Sequence, residues 1–181
     1  MPGAHPLDLS CSVCAREYGF DAWQWRCDCG APLEFAVEPQ ERADATLGSP
    51  PASWADTTAG LWSFDAFLPT PGRVSLGEGW TPLVDAPAWD AEFKLEYVSP
   101  TGSFKDRGAT TTLSVAAELG VDRVVEDSSG NAGAAIATYA ARAGIDAEIY
   151  VPADAKESKL RAIRRAGAEP VRIEGSRGDV T

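Results

Sequence analysis

From Glu92 to Ile173 the chain alternates short strand-like segments with helix-like ones, and no other feature limits its possible folds as much. Glu92-Phe93-Lys94-Leu95-Glu96-Tyr97 carries the two-residue period of a strand, and Ser99-Pro100-Thr101-Gly102 breaks it. Ser103 to Leu119 reads as a helix with Leu113, Ala116 and Ala117 on its apolar side and Gly120 ending it. Arg123 to Glu126 is a short strand, and Asn131 to Arg142 an alanine-rich helix stopped by Gly144. Ala147 to Val151 is the next strand, Lys156 to Arg165 the next helix, and Pro170 to Ile173 begins another strand. Strands separated by helices of this length pair in parallel through crossovers, so the expected fold class is α/β with a parallel sheet. So few strands would leave open edges and little core. The segment therefore reads as part of a larger domain, with Glu174 to Asp179 placed where another crossover helix would start.

The first 35 residues follow a different logic. Cys11-x-x-Cys14, twelve further residues, then Cys27-x-Cys29-Gly30 account for all four cysteines of the chain. Two close pairs around a hairpin-length segment can place four thiolates in a tetrahedron about zinc. Four protein ligands leave no open coordination position, which points to a structural metal, and so short a segment would need it to fold. Tyr18, Phe20, Trp23 and Trp25 are expected to pack the hairpin. The single residue between Cys27 and Cys29 departs from the commoner spacing. A reduced, metal-free cluster and paired disulfides remain the alternatives, the latter disfavoured in a reducing compartment. Between Pro39 and Arg73, prolines and glycines alternate with Trp54, Trp62, Phe64 and Phe67, as in an arm that crosses another surface anchored by its rings.

Composition excludes several partner classes. With 27 acidic against 16 basic residues the formal charge is -11, a field that repels nucleic-acid phosphates and anionic membranes. The ribbon's only basic residues are Arg16 and Arg26, which weakens a nucleic-acid role for it. No apolar stretch reaches the length of a membrane span and none follows a basic start, so a cytoplasmic location is the default expectation. Lys94, Lys105, Lys156 and Lys159 are the only lysines. Acidic, lysine-poor composition suits a salt-adapted, halophilic cytoplasm.

Two segments carry the chemistry. Lys105 opens a helix just after a glycine turn, where the positive end of the helix dipole disfavours an ammonium and so favours the neutral amine that imine formation requires. Position alone does not establish this, because surface lysines at helix starts are common. Asp127-Ser128-Ser129-Gly130-Asn131-Ala132-Gly133 lies between a strand end and a helix start, where small residues let backbone approach a ligand and free amides face an anion. Simple helix capping by Ser129 or Asn131 would explain the same residues without any ligand.

Taken together, Ser103-Phe104-Lys105-Asp106-Arg107-Gly108 and Ser128-Ser129-Gly130-Asn131-Ala132-Gly133 resemble the fold-type II pyridoxal-phosphate enzymes. Gly77-Glu78-Gly79-Trp80-Thr81-Pro82-Leu83 upstream and the N-terminal cysteine ribbon bring the resemblance closest to the threonine synthases. The resemblance implies that Lys105 holds pyridoxal 5'-phosphate as a Schiff base and later moves protons, with Phe104 packing near the cofactor. It implies that Asn131 bonds the pyridine 3'-oxygen and that Ser128, Ser129 and Gly130 receive the substrate carboxylate. Asp106 and Arg107 would fix the helix start, and Lys159 and Arg161 would be structural or domain-closing.

The implied reaction converts O-phosphohomoserine and water to threonine and phosphate. A threonine or serine dehydratase, or a related amino-acid β-elimination or replacement enzyme, is the alternative within the same chemistry. An inert truncated paralogue or a zinc-ribbon docking protein is the alternative outside it. The family's phosphate-binding glycine loop and its partner for the pyridine nitrogen have no match after Asn131, so the chain is expected to be an N-terminal portion of a longer enzyme. The expected division is a zinc ribbon over 1–35, an arm over 36–75 packing on the main body, the first part of the large cofactor domain over 76–110, and an incomplete small α/β domain over 111–181. A homodimer is the default for the family.

Overall fold

The structure, a computed structural model, describes residues 8–20, 24–36, 57–70, 73–175 and 177–180. Trp23, Trp54 and the prolines and glycines between 37 and 56, on which part of the expected ribbon packing and arm rests, lie outside the described residues. The chain divides into two compact units, one holding residues 1–57 and 62–71, the other 58–61 and 72–181.

In the first unit, β1 (Leu9–Cys11) is the centre of a three-stranded antiparallel sheet flanked by β2 (Glu17–Tyr18) and β3 (Leu33–Phe35). Cys11 and Cys27 are buried, whereas Trp25 is 74% exposed and Phe20 is also exposed. The expectation that these rings pack the hairpin therefore fails for Trp25, which instead lies against its neighbour, the Arg26 guanidinium 4.2 Å from the ring centroid. A sheet of strands this short has room inside for the thiols and little else. Of the arm, residues 57–67 form a 3-10 helix in which Trp62 is buried.

The second unit begins with an antiparallel hairpin of β4 (Leu83–Ala86) and β5 (Ala91–Lys94), with Val84 opposite Phe93. Here the structure departs from the expected alternation. The Glu92–Tyr97 strand ends at Lys94, gives way to a 3-10 turn over Glu96–Val98, and pairs back on β4 and not with the parallel sheet. Pro87 starts the tight connection and Asp90, at φ 47, closes it in the left-handed region that aspartate tolerates.

After α1 (Lys105–Glu118) the alternation holds. β6 (Arg123–Glu126), α2 (Asn131–Ala143), β7 (Asp146–Pro152), α3 (Glu157–Arg165) and β8 (Glu169–Ile173) build a parallel sheet in the order β6-β7-β8, and the short α4 (Arg177–Val180) follows. Gly144, at φ 73, ends α2 in the left-handed conformation that avoids a Cβ clash, and the Ile145 amide then reaches back to the Ala140 carbonyl at 3.0 Å.

Register decides which face of the sheet is covered. Val124, Ala147, Ile149 and Val151 share one face, and Ile149 and Val151 are fully buried there with Ala137 of α2 and Leu160 and Ile163 of α3. α1 packs on α2 through Ala109, Leu113, Ala116, Ala135, Tyr139 and Ala140. Ala117, expected on that apolar side, is exposed. The fold is thus mixed α/β, with α2 and α3 laid on one face of a short parallel sheet and α1 packed against α2. No helix among the described residues is long and apolar enough to cross a membrane.

Candidate functional site

Lys105 is the first residue of α1, and its side chain is exposed with Nζ 4.9 Å from the centroid of the Phe104 ring, itself 56% exposed. The two residues after it are held inward. Asp106 is fully buried, and its carboxylate accepts from the Thr101 amide at 2.8 Å and from the Thr101 hydroxyl. Arg107 clasps Glu96 with two parallel bonds, Nε to Oε2 at 3.0 Å and a terminal nitrogen to Oε1 at 2.8 Å, and also reaches the Thr81 hydroxyl at 3.1 Å. Thr81 donates to Glu96 in turn at 2.8 Å. The Arg107 fork holds the Glu96 carboxyl below the ordinary carboxylate range. With Asp106 and Arg107 tied to other segments, the Lys105 side chain projects to solvent beside the Phe104 ring.

Behind this turn lies a feature that the sequence motifs do not announce. Glu78, between Gly77 and Gly79, is fully buried, and its carboxylate accepts from Tyr139 Oη at 2.7 Å, from the Leu76 amide at 2.9 Å and from Ser75 Oγ at 3.0 Å. Burial by itself would raise this carboxyl, but the bonds from Tyr139 and the Leu76 amide outweigh it and hold the group below its ordinary value. Burial first, then the bond to Glu78, pushes the Tyr139 phenol well up. The pair ties the glycine-flanked segment before Thr81 to α2, the helix that Asn131 begins.

Removing Glu78 leaves the buried Tyr139 phenol and the Leu76 amide without this acceptor. Glu78→Ala is therefore expected to destabilise the protein by about 3 kcal/mol, read as a lower urea midpoint. Carboxyls depressed in the folded state stabilise it above their unfolded value of about 4.3 and lose that contribution as pH falls through the folded value. Glu78 and Glu96 both have that sign. Stability should fall on acidification below about pH 4, less steeply in Glu78→Gln than in the parent.

The loop after β6 is built by close approach. A Cβ on Gly133 would lie 1.8 Å from the Ser128 carbonyl oxygen, so only glycine lets α2 begin against its own preceding loop. Ser128 Oγ accepts from the Gly130 amide at 3.2 Å, and Gly130 stands at the cap position with no side-chain cap bond. The simple reading of Ser129 or Asn131 as the helix cap is thereby corrected. The first-turn amides of α2 are left without intrahelical acceptors, and Asn131 is exposed beside them. A cleft of about 320 Å³ lined by Val125, Glu126, Asp127, Tyr150 and Val180 opens at the carboxyl end of β6, next to this loop, where open α/β sheets bind ligands. Lys105 does not line that cleft. Lys105 and Asn131 are brought into one unit as the heads of two packed helices, and no side-chain hydrogen bond joins them among the described residues.

Residues 74–181 match the family described as "Pyridoxal-phosphate dependent enzyme". The chain belongs to that family. Its curated relatives include the threonine synthase of Methanocaldococcus jannaschii, 32% identical over 93% of this chain and 44% of the relative. That of Synechocystis is 35% identical over 80% of this chain and 42% of the relative. The chain thus spans less than half the length of these relatives. Among solved structures, a pyridoxal 5'-phosphate-dependent aspartate racemase matches 52% of this chain and 33% of its own with 37% identity and a TM-score of 0.50. Maize serine racemase matches 55% and 32% with 32% identity and the same score. The chain is threonine synthase-like within a family of enzymes that act on small molecules with pyridoxal phosphate.

The cysteine cluster forms a second candidate site. All four Sγ atoms lie within 4.8 Å of one another, with Cys14 to Cys27 at 3.5 Å and Cys11 to Cys29 at 3.6 Å, and all four are free thiols. A tetrahedral site with metal–sulfur bonds of about 2.3 Å has edges of about 3.8 Å, so the four thiols are spaced as ligands of one thiophilic ion. The Tyr18 hydroxyl donates to Cys27 Sγ at 3.1 Å and is the largest influence bringing that thiol down to about 6.

Proposed function

We propose that the protein acts as a threonine synthase, a lyase of threonine biosynthesis that converts O-phosphohomoserine and water to threonine and phosphate. The observation that carries this reading is Lys105 at the head of α1, exposed while Asp106 and Arg107 are locked inward, in a chain whose curated relatives are threonine synthases.

The residues fit the cofactor in two respects: an exposed amine beside an exposed ring, and a helix start whose amides and small side chains can meet an anion. Lys105 would hold pyridoxal phosphate through its amine, Phe104 would cover one side of it, and Asn131 would donate to its phenolic oxygen. When bound, the cofactor supplies the electron sink for a carbanion at the substrate α-carbon. Ser128, Ser129 and Gly130, with the free amides of α2, would take the substrate carboxylate and orient the α-hydrogen toward Lys105. The Lys105 amine would serve as the base that takes the α-proton and as the acid that returns protons to the substrate chain. Asp106, Arg107 and Glu96 hold the backbone of the turn from which the amine projects. The division into ribbon 1–35, arm 36–75, large-domain start 76–110 and small-domain part 111–181 goes with this reading.

We infer also that Cys11, Cys14, Cys27 and Cys29 bind one structural Zn2+, supported by the fit of the four thiols to a tetrahedron with no open position.

The substrate assignment is tested by product analysis with the protein as expressed from its gene. Phosphate release from O-phosphohomoserine, with threonine formed in equal amount, is expected. Ammonia released from threonine, with no phosphate from O-phosphohomoserine, would show a dehydratase instead.

A further inference from the structure

The two halves of the cysteine cluster are not equivalent, and the difference assigns a role to Tyr18. In the first turn the amides of Val13 and Cys14, two and three residues after Cys11, both donate to Cys11 Sγ at 3.4 Å. The Ala15 amide, four residues on, closes the turn on the Cys11 carbonyl at 3.0 Å. The second turn is one residue shorter. There the amide three residues on, that of Gly30, already closes the turn on the Cys27 carbonyl at 2.8 Å. The amide three residues on, which serves sulfur in the first turn, is therefore spent on the carbonyl in the second, and Cys27 keeps as its backbone donor the amide of Cys29, two residues on.

Tyr18 fills the gap. Its hydroxyl accepts from the Asp28 amide at 3.2 Å and donates its own proton to Cys27 Sγ at 3.1 Å. A different amide, that of Asp28, is thereby linked to the sulfur through one oxygen. Asp28 is held in turn by Gln24 Nε2 at 3.2 Å and by Arg16, which keeps the amide aimed. Tyr18 sits in β2, pinned by its pairing with Leu9, so the hydroxyl is carried on sheet and not on a free loop.

We propose that Tyr18 is a positioning residue of the metal site: its hydroxyl replaces the sulfur-directed amide lost from the shortened Cys27-Asp28-Cys29 turn. The proposal rests on the reading of the cluster as a Zn2+ site. Donors to thiolate sulfur disperse the charge of a four-thiolate centre and orient the ligands, and loss of such an outer partner weakens metal binding by about 10-fold to 100-fold.

The test compares three proteins at one pH: the parent, Tyr18→Phe, and Tyr18→Phe with one glycine inserted after Asp28. Zinc content is measured by elemental analysis and zinc affinity by competition with a colorimetric chelator. The tetrahedral thiolate spectrum of the Co2+-substituted form checks that each cluster is assembled. Tyr18→Phe is expected to bind zinc about 10-fold more weakly while keeping the tetrahedral spectrum. The inserted glycine, which restores a two-residue spacer and returns a backbone amide to Cys27, is expected to recover most of that loss. Unchanged affinity in Tyr18→Phe, or a loss that the insertion does not recover, overturns the role of Tyr18. A parent that carries no zinc and takes up neither Zn2+ nor Co2+ overturns the metal reading itself.

Discussion

Lys105→Ala is expected to lower phosphate release from O-phosphohomoserine by about a thousandfold or more, because under the proposed function it removes both the cofactor's covalent anchor and the acid–base group. The same change should leave the thermal midpoint nearly unaltered. The Lys105 side chain is exposed and lies near the Phe104 ring, while the hydrogen bonds that secure the turn belong to Asp106 and Arg107. That separation is what distinguishes a chemical role from a structural one. A parallel loss of activity and stability would instead mean that Lys105 holds the helix start. Circular dichroism and a melting curve on the same preparation make the comparison.

Gly133→Ala is expected to be the most damaging single change in the second unit. Its Cβ would lie 1.8 Å from the Ser128 carbonyl oxygen, 3.0 Å from the carbonyl carbon and 2.9 Å from Ile149 Cγ2. Two of those three atoms are backbone, so no rotamer change relieves the contact. Either α2 lifts off the loop or the loop moves, and overpacking of this kind costs about 3 kcal/mol or more, a drop of about 10 °C in melting temperature. Any shift also separates Ser128 from the helix start, so activity should fall further than stability alone would require. Gly130→Ala is the control for stability alone: its Cβ would meet Ser128 Oγ at 3.8 Å, an ordinary contact.

The parts of this fold that could be read in the sequence are those governed by local periodicity. Every helix and strand from Lys105 to Ile173 falls where the apolar spacing, the stopping glycines at 120, 144 and 167 and the strand runs place it. The β4–β5 hairpin was not legible. Glu92 to Lys94 alternates as any strand does, and nothing local says whether its partner is the next strand or the preceding one. Long-range polar partners were equally hidden. Glu78 and Tyr139 are 61 positions apart, and only a carboxylate between two glycines hinted that the backbone there is tightly enclosed. Trp25 shows the opposite error, since a ring near a cysteine turn was expected to pack and instead faces outward. The cysteine spacing announced a cluster of four thiols, but the Tyr18 hydroxyl that donates to Cys27 sits nine residues away on β2.

The claim that Lys105 is the amine that holds the cofactor can be read directly by mass. Protein incubated with pyridoxal 5'-phosphate, reduced with borohydride and digested should carry one stable pyridoxyl adduct per chain on the peptide containing Phe104-Lys105-Asp106. The adduct should be absent in Lys105→Ala. A protein that acquires no adduct, or acquires it mainly on Lys94, Lys156 or Lys159 with Lys105 unmodified, would contradict the account.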